Sequence, residues 1–176
     1  MEITPPEDEA LELFWAEARK IAGLTHLDGI VGMDTTASLV PPAWSFGSTA
    51  EMADELLDLV LAGEKTATAS ARWEWEADHE EPPTPGDLAI LCDGAGEPRA
   101  LIRTDDVEIV PFDQVGEEHA TAEGEGDRSL AHWRSGHQEY FTESLAAVGR
   151  TFAPDMPVVL ETFTLLHPRP RRRRPR

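Results

Sequence analysis

At Gly63-Glu64-Lys65-Thr66 the apolar pattern of this chain changes period, and that switch does most to limit the folds open to it. Before it, apolar residues recur every three or four positions. After it, Thr66, Thr68 and Ser70 alternate with Ala67, Ala69 and Ala71. The first pattern belongs to amphipathic helices and the second to half-buried strands. On the helical side, Thr4, Pro5 and Glu7 read as a capping box with Pro at the first helical position. Leu11, Phe14, Trp15, Ala18, Ile21 and Ala22 continue that helix, and Gly23 closes it. Residues 24–47 read as loop, with Pro41-Pro42 forbidding helix. Ser48 and Glu51 then box a second helix, which Gly63 ends.

On the strand side, turns punctuate short runs. Pro82 to Asp87 is a turn, Leu88 to Cys92 a strand, and Asp93-Gly94-Ala95-Gly96 a hairpin loop. Arg99 to Val110 returns as a longer strand, expected to bend near Asp105-Asp106. Trp73 and Trp75 alternate with Glu74 and Glu76, like one strand face or an edge hairpin. An acidic helix is expected over Gln114–Glu123, then a hinge at Gly124-Glu125-Gly126. A third long helix covers Arg128 to Val148, with Leu130, Trp133, His137, Phe141 and Leu145 on one face. Val158, Leu160, Thr162 and Thr164 mark a last strand. Short meandering strands with helices at the start and before the last strand predict an α+β fold: a small β-barrel with flanking helices.

Charge narrows the function classes. There are 34 Asp and Glu against 15 Lys and Arg, and six of the arginines lie in the last eight positions. Residues 1–168 therefore hold nine basic against 34 acidic groups, a net of −25. Such a body repels phosphate backbones at long range, so any polyanion site must be a local cluster. The single Cys92 rules out an intramolecular disulfide framework and, after Leu88-Ala89-Ile90-Leu91, reads as a small buried thiol. No apolar stretch is long enough to span a membrane, and Met1 to Asp8 lacks a positive leader segment. A cytoplasmic protein is expected.

Few residues invite chemistry. Lys65 stands where a helix ends and a strand begins. It reads either as a cation complementing the negative helix end, or as a desolvated lysine that serves as a base or grips an anion. Thr68, three residues on, can reach the same pocket. Ser129 in Gly126-Asp127-Arg128-Ser129 opens a helix, where it or Asp127 can cap, and where exposed amides beside Arg128 also suit a phosphate. Lys65, Arg72, Arg103, Arg128 and Arg134 together make a candidate positive pocket in an acidic shell. Trp44 and Phe46 read either as a stacking platform for a base or as a lid on the core. His119 and Glu123, four apart, are two possible metal ligands, too few for a site. His132 and His137 do not share a helix face, and no zinc grouping is present.

Several of these motifs fall in one order. Trp44-Ser45-Phe46-Gly47, Gly63-Glu64-Lys65-Thr66-Ala67-Thr68, Pro85-Gly86-Asp87, Val107 to Val115 and Glu123-Gly124-Glu125-Gly126-Asp127-Arg128-Ser129-Leu130-Ala131-His132-Trp133 together resemble the ASCH domain. That resemblance implies a PUA-like β-barrel related to RNA-binding modules over residues 40–168. Residues 1–39 then form a helix and connecting loop packed on the barrel, and 169–176 a disordered arginine-rich tail.

The resemblance implies three activities. Long members with the Gly-Asp-Arg-Ser motif are ribonucleases that use the lysine, a serine and a divalent metal such as Mn or Mg. On that reading Lys65 and Arg128 hold the phosphate of single-stranded RNA and Ser129 positions it, with Trp44, Phe46, Arg72 and Arg103 as further contacts. Small members are amidohydrolases of N4-acylcytidine that need no cofactor. There Thr68 attacks the amide, Lys65 takes its proton, and Glu123 orients Lys65 or protonates the leaving amine. The third is a non-catalytic RNA- or nucleotide-binding module. The length class of the motif favours the ribonuclease.

Overall fold

The structure is a computed structural model, and it describes residues 2–24 and 39–168. The loop expected over 25–38 and the arginine-rich tail over 169–176 lie outside the described residues. Along the chain come α1 (Asp8–Ile21), β1 (Ala43–Trp44), α2 (Ala50–Ala62), β2 (Ala67–Ala71), α3 (Arg72–Asp78), β3 (Leu88–Cys92) and β4 (Pro98–Pro111). A 3-10 turn (Phe112–Gln114), α4 (Glu117–Glu123), α5 (Leu130–Ala147) and β5 (Pro157–His167) follow. The five strands form one mixed sheet in the order β1-β3-β4-β5-β2. The fold is α+β as expected. Among the described residues the sheet stays open: no ladder joins β1 to β2 to close the barrel.

Two compact units share the chain. The first takes its described residues from Met1–Gly63, Leu88–Arg103 and Leu165–Arg176. Its helix α1 begins at Asp8 with Glu7 at the N-cap, one turn later than the Thr4 box predicts, because the Thr4 amide donates to the Gly94 carbonyl at 3.2 Å. Trp15 and Ala18 of α1 pack with Ile90, Cys92 and Leu101. Burial, then the Asp93 and Glu97 charges, push the Cys92 thiol up to about 11, as befits a structural thiol. The N-cap of α2 is Thr49, not Ser48: its hydroxyl accepts from the Met52 amide at 3.2 Å.

The second unit comprises Glu64–Asp87 and Thr104–Thr164. β2 pairs antiparallel with β5, Ala71 opposite Val158 and Thr68 opposite Glu161. Ala71, Leu160, Phe112, Trp133, Phe141 and Leu145 share its apolar cluster, so α5 buries the face that its sequence spacing predicts. Phe112 stacks on Trp133 with ring centres 5.3 Å apart. The Trp73-Glu74-Trp75-Glu76 run is helix α3, not a strand. The Glu74 carboxylate accepts from the Ala71 amide at 3.3 Å, and the Trp75 indole donates to Ser70 Oγ at 2.9 Å. These local bonds turn the chain out of β2 within one residue.

Candidate functional site

The site lies in the second unit, where the segment before β2 meets the end of α4. The Thr66 amide donates to the Ala122 carbonyl at 2.8 Å, docking the approach to β2 on the last turn of α4. Gly124 then turns the chain in the left-handed region, φ +73°, and a Cβ there would collide with the Glu64 carbonyl oxygen. Only glycine permits this approach. It brings two carboxylates, Glu123 and Glu125, to the lysine that follows Glu64.

Lys65 is 1 % exposed. Its Nζ donates to Glu123 Oε2 at 2.8 Å and to Glu125 Oε1 at 2.6 Å. Glu123, also 1 % exposed, spends its other oxygen on α4 and α5. Oε1 accepts from the Trp133 indole at 2.7 Å and from His119 Nε2 at 3.0 Å. His137 Nε2 lies 3.5 Å from it without a hydrogen bond. The His137 ring lies on Trp133, centres 4.1 Å apart, and its Nδ1 donates to the Trp133 carbonyl at 3.0 Å. The buried carboxylate thus meets the Lys65 ammonium on Oε2 and the Trp133 and His119 donors on Oε1, as burial of charge demands.

Electrostatics fix the charge states. Burial alone would pull the Lys65 ammonium down, but the Glu123 and Glu125 charges and hydrogen bonds outweigh it, and its pKa ends above the ordinary lysine value. A lysine depressed into the range of a base, one of the two sequence readings, is not what its neighbours produce. Burial would raise Glu123. Lys65 first, then His119 and His137, reverse this and hold it well below the usual carboxylate range. Burial lowers His137 despite the nearby carboxylates, which favours its neutral form.

The remaining sequence candidates fall into three groups. Thr68 lies on β2, half-buried, and its hydroxyl makes no hydrogen bond to another described residue. Ser129 is the N-cap of α5: its Oγ accepts from the His132 amide at 3.1 Å, while Asp127 Oδ1 accepts from the Ser129 amide at 2.8 Å. The expected anion cradle is therefore filled by the chain's own caps. Three cations of the expected positive pocket, Lys65, Arg72 and Arg128, are paired with carboxylates. Arg128 pairs with Glu64, Arg72 with Glu81 at 3.1 Å and Glu76 at 3.7 Å, and Arg134 donates to the Asp113 and Val115 carbonyls. Trp44, Phe46 and Arg103 belong to the first unit. Phe46 is buried there, edge-on to half-buried Trp44 at 4.8 Å, so Phe46 packs in the core while Trp44 keeps part of its ring exposed. Arg103 is exposed on β4 opposite Leu88.

A divalent metal does not fit this donor set. The Lys65 ammonium fills the space between Glu123 and Glu125. Among the described residues, no group of three or more His, Cys, Asp or Glu is arranged to hold an ion. Sequence reasoning missed Glu125, Trp133 and His137 as partners in the ion cluster. It also missed Glu161, whose Oε1 accepts from the Thr104 hydroxyl at 2.7 Å.

The ASCH domain family model matches residues 42–167. The chain belongs to the ASCH domain family. This ASCH domain is also similar to protein EF3133 from Enterococcus faecalis V583. The two are 34 % identical, with 90 % of this chain and 91 % of that one covered and a TM-score of 0.76. An ASCH domain from Lactobacillus crispatus JV V101 is 28 % identical over 94 % of this chain and 99 % of its own, also at a TM-score of 0.76. No curated protein matches the chain. No helix among the described residues of this ASCH domain is long and apolar enough to cross a membrane.

Proposed function

We propose that this ASCH domain is an amidohydrolase of an uncharged, N4-acylated cytidine nucleoside. The observation that carries the reading is the pairing of three of its cations with carboxylates. Lys65, Arg72 and Arg128, three of the groups a scissile phosphate would need, are each paired with carboxylates of their own chain. A phosphate would have to displace those partners in a chain of net charge −19, whereas a neutral nucleoside meets no such barrier.

On this reading Thr68 is the nucleophile, since its hydroxyl, unlike that of Ser70, which accepts from Trp75, has no hydrogen bond to a described residue. Lys65, three residues earlier and held as an ammonium, is a hydrogen-bond donor for the acyl oxygen, a role that, unlike holding a phosphate, needs no net positive charge. Glu123 and Glu125 position that ammonium, and Trp133 and His119 position Glu123. Ser129 serves the fold as a helix cap.

The test is a side-by-side assay of N4-acetylcytidine and a single-stranded RNA, at low and high salt, with and without Mn or Mg. The expected result is release of cytidine and acetate at a rate that salt and metal hardly change. Metal-dependent RNA cleavage that falls steeply with salt, without nucleoside hydrolysis, would establish the ribonuclease instead. Tight RNA binding with no turnover of either substrate would leave a binding module.

A further inference from the structure

We propose that Glu161 is the proton acceptor for Thr68, taking its hydroxyl proton during attack and delivering it to the leaving nitrogen. The proposal rests on the reading of Thr68 as nucleophile. Thr68 and Glu161 are directly opposed in the β2–β5 ladder. Residues so opposed in an antiparallel pair project from the same face with Cβ atoms about 4.5–5.5 Å apart. The two are not hydrogen-bonded to each other in the structure, and at that separation a rotamer change or one bridging water links the threonine hydroxyl to the carboxyl.

The placement of Glu161 is otherwise hard to explain. It is the one charged residue of the strand Pro157-Val158-Val159-Leu160-Glu161-Thr162-Phe163-Thr164-Leu165-Leu166-His167, apart from the terminal histidine, and it is 8 % exposed. No cation among the described residues pairs with it. Its Oε1 takes the Thr104 hydroxyl at 2.7 Å, and Oε2 has no hydrogen bond to a described residue. A carboxyl kept in such a place costs stability. Burial raises its pKa, the Thr104 hydrogen bond opposes that, and the Asp87 charge adds to the rise. Upward is the direction that improves a carboxylate as a proton acceptor near neutrality. Lys65, which stays protonated between its two carboxylates, does not compete for the role.

The step balances without any redox partner. Thr68 Oγ bonds to the acyl carbon as its proton passes to Glu161. The C–N bond then breaks, and the departing N4 takes that proton to become the amino group of cytidine. In the second half a water gives its proton to Glu161 and attacks the acyl-threonine ester, and Glu161 returns the proton to Thr68 Oγ as the carboxylic acid leaves.

The test uses the full chain with N4-acetylcytidine and reads kcat, KM and the pH dependence of kcat/KM for the wild type, Glu161→Gln and Thr104→Val. The first substitution is expected to lower kcat by about 10²–10⁴-fold with little change in KM. The second keeps the carboxylate and removes its donor, so the acid limb of the profile is expected to move to higher pH. A purely structural Glu161 would not produce that displacement. Wild-type kcat in Glu161→Gln overturns the proposal. So does an unmoved acid limb in folded Thr104→Val, which decides the matter even if Glu161→Gln fails to fold. A wild type that releases no cytidine sinks the functional reading itself and this proposal with it, and that outcome is visible before any substitution is made.

Discussion

Glu123 and Glu161 are both buried carboxyls of the second unit, yet their surroundings drive them in opposite directions. Glu123 faces the Lys65 ammonium, an indole and two histidines, and its pKa falls. Glu161 faces one hydroxyl, and its pKa rises. Burial penalises the charged form in both places. What differs is whether a cation is present to reverse the penalty. One carboxylate is thereby fixed as permanent scaffold charge. The other is left able to exchange a proton, which is the division of labour that pairs of enzyme carboxyls commonly show.

The largest expected effect comes from removing the cation that makes the difference. Lys65→Met leaves Glu123 buried and uncompensated, at an expected cost of about 3–5 kcal/mol in urea denaturation, and adding Glu123→Gln should recover much of it. A single variant as stable as the wild type would show that the two glutamates do not differ in the way described. Thr68→Val comes next: it leaves the ion cluster untouched and should cut turnover of N4-acetylcytidine by about 10³-fold or more, with little change in the urea midpoint.

Acid and base limbs of stability separate the two carboxyls further. Glu123 has a lowered folded pKa, so its contribution is present above the ordinary carboxyl range and lost as pH falls toward the folded value. Glu161 has a raised one, so its cost appears as pH climbs above that range. Thermal melts should therefore show Glu161→Gln gaining on the wild type at pH 7–8 and losing that advantage near pH 4. Glu123→Gln should be destabilised at pH 7, with the deficit shrinking on acidification. The smallest effect belongs to Ser129→Ala, which removes only a helix cap: about 1 kcal/mol in stability, with nucleoside turnover intact. Loss of turnover in that folded variant would return Ser129 to the active site.

Much of the fold was legible because local chemistry settles it. The strand Leu88–Cys92, the Gly63 stop and the buried face of α5 all follow from spacing and from residues that punctuate the chain. Trp73 and Trp75 were misleading for a physical reason. Alternation with glutamates imitates a strand, and only the Glu74 and Trp75 side-chain bonds reveal a helix of seven residues. At the site, Lys65 and Glu123 stood out by family motif. Glu125 carried a weak signal of its own, flanked by two glycines that turn the chain. Trp133 and His137 share one face of α5 by spacing, but their nitrogens bind or approach a carboxylate on another helix, and spacing on α5 cannot show that. Glu161 announced itself only as a charge out of place in an apolar strand. The clustering of basic residues was read as a positive pocket because sequence gives no account of which carboxylate folds back on which cation.

The protonation of Lys65 bears most directly on all of this. The chain has two lysines, Lys20 and Lys65, so a 15N-labelled sample gives two side-chain nitrogen signals, assignable with Lys20→Arg. Followed by NMR through alkaline pH, the Lys65 ammonium should persist above the ordinary lysine value of 10.5, and should titrate earlier once Glu123→Gln is introduced. A Lys65 signal that loses its proton below that value in the wild type would contradict the account, because the group would then be the base and Glu123 would not be its counter-ion.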